Sequence, residues 1–163
     1  MARAYEARKR AVPPLDWRPD IQRRQYLRIP IVCDCDAPDV IGVSIEGTAW
    51  ADEPEKRVSF QLKIDIGGTD FRVARIDWRP RQPHINKFGP PSLRGRTVLT
   101  SIHDFPENAA LGLGEMQLRN LAVAKPIEPE PSEFTEVLTY LRDTFRLDNA
   151  TEIPVPPWSP QLF

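Results

Sequence analysis

The chain has 163 residues, of which 40% are apolar and 28% charged, with 18 prolines against 8 glycines and a net charge of −1. That length suits one domain with its own hydrophobic core. No run of about 18 apolar residues is present, which argues against a membrane span, and the charged stretch Met1 to Pro14 lacks the apolar centre of a secretory signal.

The expectation is therefore a cytoplasmic protein with no membrane partner. Charge is unevenly spread: Met1 to Arg28 holds eight basic and three acidic residues, Ile29 to His103 ten of each, and Asp104 to Phe163 four basic and ten acidic. A basic arm (1–20) and a proline-rich tail (151–163) flanking a single domain (21–150) can bind separate partners or each other.

In chain order, Ala2 to Val12 reads as a short basic helix stopped by Pro13 and Pro14. Leu27, Ile29, Ile31, Cys33 and Cys35 alternate with polar residues, as in a strand, and Pro30 favours an edge position. Val40 to Trp50 reads as a second strand, with a bulge expected at Gly42 or Gly47. Val58 to Ile66 alternates most cleanly, and Gly67-Gly68-Thr69-Asp70 turns it back into Phe71 to Trp78. Arg79 to Arg96 reads as a long loop of the kind that often carries function, and Thr97 to Ile102 as a short strand. Asp104 to Pro131 reads as irregular, with a short strand at Leu121 to Ala124. Ser132 to Leu147 is an amphipathic helix, with Phe134, Val137, Leu138, Leu141 and Phe145 on one face and Ser132 as its N-cap. In the tail, Trp158, Leu162 and Phe163 are the residues placed to pack on the body or to meet a partner. The fold class that follows is α+β: an antiparallel meander of four to six strands with the C-terminal helix on one face.

Pairing Ile66 with Phe71 across the turn sets Leu62 opposite Arg75 and Phe60 opposite Asp77. In that register both charges continue the apolar face, as a pocket, a rim or a structural ion pair; a one-residue change in the loop sends them to the other face. The only histidines are His84 and His103. Together with Arg75 and Asp77 they form the candidate catalytic set. One imidazole would take the 2′-hydroxyl proton of RNA, the other would protonate the leaving oxygen, and arginine would offset the phosphate charge. The plainer alternative is that both rings serve as hydrogen-bonding groups. Arg72, Arg79, Arg81, Lys87, Arg94 and Arg96, interleaved with Trp78, His84 and Phe88, form a candidate nucleic-acid surface. Cys33 and Cys35 with the two histidines are the ligand types zinc takes, although their spacing matches no finger or ribbon. The plainer reading is two free thiols and no metal. The sequence contains no P-loop, G-x-G-x-x-G, G-x-S-x-G or H-E-x-x-H motif, and no cofactor is expected.

The elements Arg75-Ile76-Asp77, His84-Ile85-Asn86 and Ile102-His103-Asp104-Phe105 resemble small uncharacterised prokaryotic proteins. Those carry R-x-D, H-x-N and H-x-H elements on a sheet followed by a C-terminal helix, and some look like toxin–antitoxin or phage-defence components. The resemblance spans about Val58 to Leu147. Here the third element has one histidine, with Ser101 or Phe105 in place of the other. It implies a sheet-edge site near Arg75, Asp77, His84, Asn86 and His103. Three functional classes follow: a non-catalytic interaction subunit of a prokaryotic assembly using its terminal arms, a metal-independent ribonuclease-like toxin using His84 and His103, and a zinc-stabilised domain. The expected partner is a protein, with nucleic acid as the alternative.

Overall fold

The computed structural model describes residues 1–159; Leu162 and Phe163 lie outside them. The chain runs α1 (Ala2–Glu6), β1 (Lys9–Val12), β2 (Arg18–Pro19), β3 (Tyr26–Cys35), β4 (Val43–Trp50), β5 (Val58–Ile66), β6 (Thr69–Trp78), β7 (His84–Ile85), β8 (Thr97–Val98), β9 (Ser101–His103), α2 (Phe105–Ala109), α3 (Leu113–Leu118), β10 (Lys125–Pro126) and α4 (Phe134–Phe145). The α+β class holds. An antiparallel meander, β3 to β6, is the centre of a sheet ordered β1-β3-β4-β5-β6-β9-β10, with β2 also on β3 and with β7–β8 as a separate hairpin.

The four long strands form because each alternates. Their inward residues, among them Ile29, Ile31, Ile45, Phe60, Leu62, Ile76 and Trp78, are buried in one apolar cluster. Helix α4 covers this face with Phe134, Val137, Leu138, Leu141 and Phe145; each such burial contributes roughly 1.5–3 kcal/mol. Glu133, not Ser132, occupies the N-cap position. Ser132 instead donates from both its N–H and its hydroxyl to Glu136 Oε2, at 2.6 and 3.0 Å.

Several expectations are corrected. Only Ala2–Glu6 is helical, and Lys9–Val12 pairs with β3 instead. Pro30 does hold an edge position, but within an interior strand: β3 has no neighbour on its outer side there, between the stretch paired with β2 and the stretch paired with β1. No bulge interrupts β4, whose register runs unbroken through Gly47. Glycine is needed there for space: a Cβ would sit 2.5 Å from Ile29 Cγ2 and 2.7 Å from Phe60 Cε1. The segment read as one strand from Thr97 to Ile102 is two, β8 and β9, in different sheets. Arg79 to Arg96 contains β7, and the stretch after Asp104 folds into α2 and α3. Leu121 to Ala124 is buried but joins no ladder.

Residues 1–20 are not a detached arm. Ala4, Ala7 and Ala11 are buried, and Lys9 exchanges backbone hydrogen bonds with Arg146 and Asp148. The basic start and acidic end meet: Arg8 pairs with Asp148 at 3.0 Å and Arg10 with Glu152 at 3.6 Å. Trp158 packs edge-on against Phe134. Among the described residues no helix is long and apolar enough to cross a membrane.

Candidate functional site

The site starts at the β5–β6 hairpin, where the expected register is wrong. The turn is two residues, Gly67 and Gly68, at φ of +63° and +84°, the conformation that glycine adopts at least cost. Ile66 therefore pairs with Thr69 and Ile64 with Phe71. A bulge follows at Leu62/Lys63, beyond which Gln61 faces Arg75 and Ser59 faces Asp77. Val73 and Ala74 are both buried, consecutive residues turned to the core. Arg75 and Asp77 consequently lie on the polar face, and not with Phe60 and Leu62.

On that face, strand β9 lies beside β6, with His103 opposite Arg75 and Ser101 opposite Asp77. A second layer covers this end of the sheet: β7, β8, α2, α3 and the strap formed by residues 119–124. It has its own small core, including Leu93, Val98, Met116, Leu121 and Val123, outside the main cluster. Five consecutive strap carbonyls each accept a hydrogen bond from a side chain. Arg75 Nη1 donates to Asn120 O (3.2 Å), His103 Nδ1 to Leu121 O (2.6 Å) and His84 Nε2 to Ala122 O (2.7 Å). Asn108 donates to Val123 O (2.9 Å) and Asn86 to Ala124 O (2.7 Å). Both amides also accept, from Val123 N–H (2.9 Å) and Ala124 N–H (2.8 Å) respectively. The R-x-D, H-x-N and histidine elements thus converge on one backbone segment. Asn120 and Leu121 both have left-handed φ, +53° and +59°, a conformation costing roughly 1–2 kcal/mol per residue outside glycine. The side-chain clamp offsets that strain.

The electrostatics agree with a structural network. His103 is 0% exposed. Since a carbonyl 2.6 Å from Nδ1 can only accept, Nδ1 carries the proton. Nε2 faces both Arg75 Nη2, 3.0 Å away, and Asp77 Oδ2, 3.2 Å away; in the neutral ring it accepts from the guanidinium, which also holds the carboxylate. Burial lowers the His103 pKa; the contact with Asp77 opposes this, and the Arg75 charge reinforces it. Asp77 is held well below the usual carboxylate range. Burial opposes its ionisation, but Arg75 (Nε to Oδ2, 2.8 Å) and the Ser59 hydroxyl (2.7 Å) outweigh that. Next along the chain, Asp104 is pushed up to about 6 by burial and by Glu107, against the pull of Lys125.

The four candidate catalytic residues do come together. The His84 and His103 rings meet edge to face with centroids 5.0 Å apart. They do not open on one cavity, however. Arg75 and Asp77 line a pocket of about 350 Å³ on the polar sheet face, His84 lines another of about 540 Å³ beyond the strap, and His103 is buried between them. The six candidate nucleic-acid residues are dispersed. Arg72 lines the first pocket and Lys87 the second. Arg79 donates to the carbonyls of Glu55 and Pro131 and lies over the Trp78 ring. Arg94 reaches Gly89 O, and Arg81 and Arg96 are exposed.

The zinc set is excluded by position. Cys33 and Cys35 lie on β3 and His103 on β9, four strand spacings apart, about 19 Å. Cys33 also faces the core, where burial pushes its thiol up to about 12. Among the described residues no cluster of three or more potential ligands occurs. Sequence reasoning missed Asn108, Tyr26, Thr48, Gln61 and Asn120. Asn108 carries no motif, and the others matter only through the faces they share with distant strands. Comparison with known protein families, curated proteins and solved structures finds no match to this chain.

Proposed function

We propose that this protein is a non-catalytic interaction subunit, a module that binds a protein partner and performs no chemistry of its own. One observation carries this reading: both histidines are committed as hydrogen-bond donors to strap carbonyls, so the groups an acid–base mechanism needs are holding the fold instead. The surface that best suits a partner is the second pocket. Ile85 (55% exposed) and Leu118 (78% exposed) flank it beside Phe88, and its lining carries no carboxylate but has Lys87 and Arg119, the latter stacked on Phe88 and paired with Glu115. An exposed apolar patch with Lys87 at its edge fits a partner segment with apolar side chains and an acidic group beside them. The terminal segments are a poorer choice, since they are engaged with each other and with the body.

The ribonuclease reading draws on one observation, the 5.0 Å approach of the two imidazoles. Incubating the purified protein and its His84→Ala and His103→Ala variants with structured and single-stranded RNA separates the two. The interaction reading expects no cleavage by any of the three. Cleavage by the wild type that disappears in His84→Ala would establish the enzyme instead. The interaction reading further expects that Leu118→Asp, a surface change, abolishes a partner complex isolated from the native host while leaving the unfolding midpoint unchanged.

A further inference from the structure

The bulge in β6 has a chemical consequence. In a regular strand, residues three apart point to opposite faces. Because Val73 and Ala74 both turn inward, Arg72 and Arg75 come out on the same face, and both line the pocket of about 350 Å³. Bulges of this kind re-aim side chains beside binding sites. Arg75 uses three of its five N–H groups, on Asp77, Asn120 and His103, which leaves one N–H on each terminal nitrogen without a partner among the described residues. Among the described residues Arg72 is engaged only through its backbone, whose N–H and carbonyl bond the Gln117 side chain. Its direct cross-strand neighbour is Lys63, a like charge, and Lys63 turns away to Glu46 at 2.8 Å. Lys63 is thus paired, and Arg72 is left as the cation on this face without a side-chain partner among the described residues.

The rest of the lining sets the ligand's other half. The two carboxylates in the pocket are neutralised, Asp77 by Arg75 and Glu46 by Lys63. What remains is the Tyr26 phenol, the Thr48 hydroxyl and the side-chain amides of Gln61 and Asn120. Among the described residues none of these four side chains has a hydrogen-bond partner. Thr48 and Ser59 face each other across β4 and β5, as do Glu46 and Gln61, so the floor is one continuous polar surface, with the strap's Asn120 also in the lining. Two guanidinium groups suit a phosphoryl group, and neutral hydroxyls and amides suit a ligand's hydroxyls. We infer that this pocket binds a hydroxylated phosphomonoester of the sugar phosphate class, with its phosphoryl group at Arg72 and Arg75 and its hydroxyls over Thr48, Gln61 and Asn120. This inference does not rest on the interaction reading, which concerns the other side of the strap.

The test is a titration of the full chain with ribose 5-phosphate and with glucose 6-phosphate, followed by two-dimensional amide NMR and by calorimetry. Ribose and inorganic phosphate serve as controls. The expected result is saturable binding of at least one sugar phosphate, with shifts confined to β3–β6 and residues 117–121. Arg72→Ala should weaken it at least tenfold, and Gln61→Ala measurably. Arg72 is exposed, so the folded state of its variant is checked by the same spectra. Failure of both sugar phosphates to bind would overturn the inference. So would inorganic phosphate binding as tightly as either ester, or binding that Arg72→Ala leaves unchanged.

Discussion

His103 shows most plainly how one residue's surroundings choose its role. An imidazole beside arginine and aspartate has the composition of a catalytic group, yet His103 is fully buried, with a carbonyl on Nδ1 and both a guanidinium and the Asp77 carboxylate at Nε2, so both ring nitrogens are taken up by hydrogen-bonding partners within the fold. A histidine whose folded pKa is lowered binds protons more weakly than the unfolded chain does. Stability therefore rises with pH through this window, and it is lost as pH falls below the unfolded value of about 6.5. Asp104, raised to about 6, acts in the opposite sense, because the folded chain holds that proton more tightly than the unfolded one. Comparing variants isolates the histidine. Urea unfolding at pH 7.5 and 5.5 should show a smaller acid-induced loss in His103→Gln than in the wild type, and an equal loss in both would contradict the assignment. Gly47 is a second position decided by contacts. Its replacement by alanine drives a methyl into Ile29 and Phe60, and a destabilisation of about 1–3 kcal/mol is expected from overpacking, measurable by the same unfolding curves.

At the scale of elements, the strap shows how a segment without regular structure is held. Its backbone groups have no ladder, so side chains from β6, β7, β9, α2 and the β7–β8 turn satisfy them, since buried polar groups left unpaired are expensive. Asn86 satisfies both the N–H and the carbonyl of Ala124. Replacing it with alanine leaves both buried and unpaired, at a cost of about 2–3 kcal/mol. The sharper expectation is local: amide exchange at Val123 and Ala124 should accelerate far more than in β4 or β5, and uniform acceleration would mean that the strap is not an independent unit. The H-x-N spacing now has a physical meaning. His84 in β7 and Asn86 just past its end lie two residues apart, and their side chains reach carbonyls two apart, Ala122 and Ala124.

For the whole molecule, the two chain ends close the structure. The β1 strand completes the outer side of β3, and Lys9, Arg146 and Asp148 tie the two termini through backbone bonds. Deleting residues 1–12 removes buried Ala4, Ala7 and Ala11 and bares the outer edge of β3 at Val32–Cys35. A lowered melting temperature by circular dichroism and self-association on gel filtration are expected. A truncated chain as stable and monomeric as the parent would restore the picture of a free arm. The surface pairs Arg8–Asp148 and Arg10–Glu152 are exposed and screened by solvent, so Arg8→Ala should leave the melting temperature nearly unchanged.

The sequence alone determined what depends on neighbours along the chain. Alternation in β3 to β6 and the apolar stripe of Phe134, Val137, Leu138, Leu141 and Phe145 are local periodicities, and they yielded the antiparallel sheet, its covering helix and the hairpin from Val58 to Trp78. It also marked Arg75, Asp77, His84 and His103 as belonging together. Tertiary structure alone decided what those residues do. The side of the sheet that Arg75 and Asp77 occupy depended on the bulge at Val73, because strand periodicity is two and one extra residue exchanges the faces, whereas the shorter turn moves the register by two and leaves them unchanged. The role of the histidines depended on carbonyls 18 and 38 residues away, and no local pattern records which distant backbone group a side chain will meet.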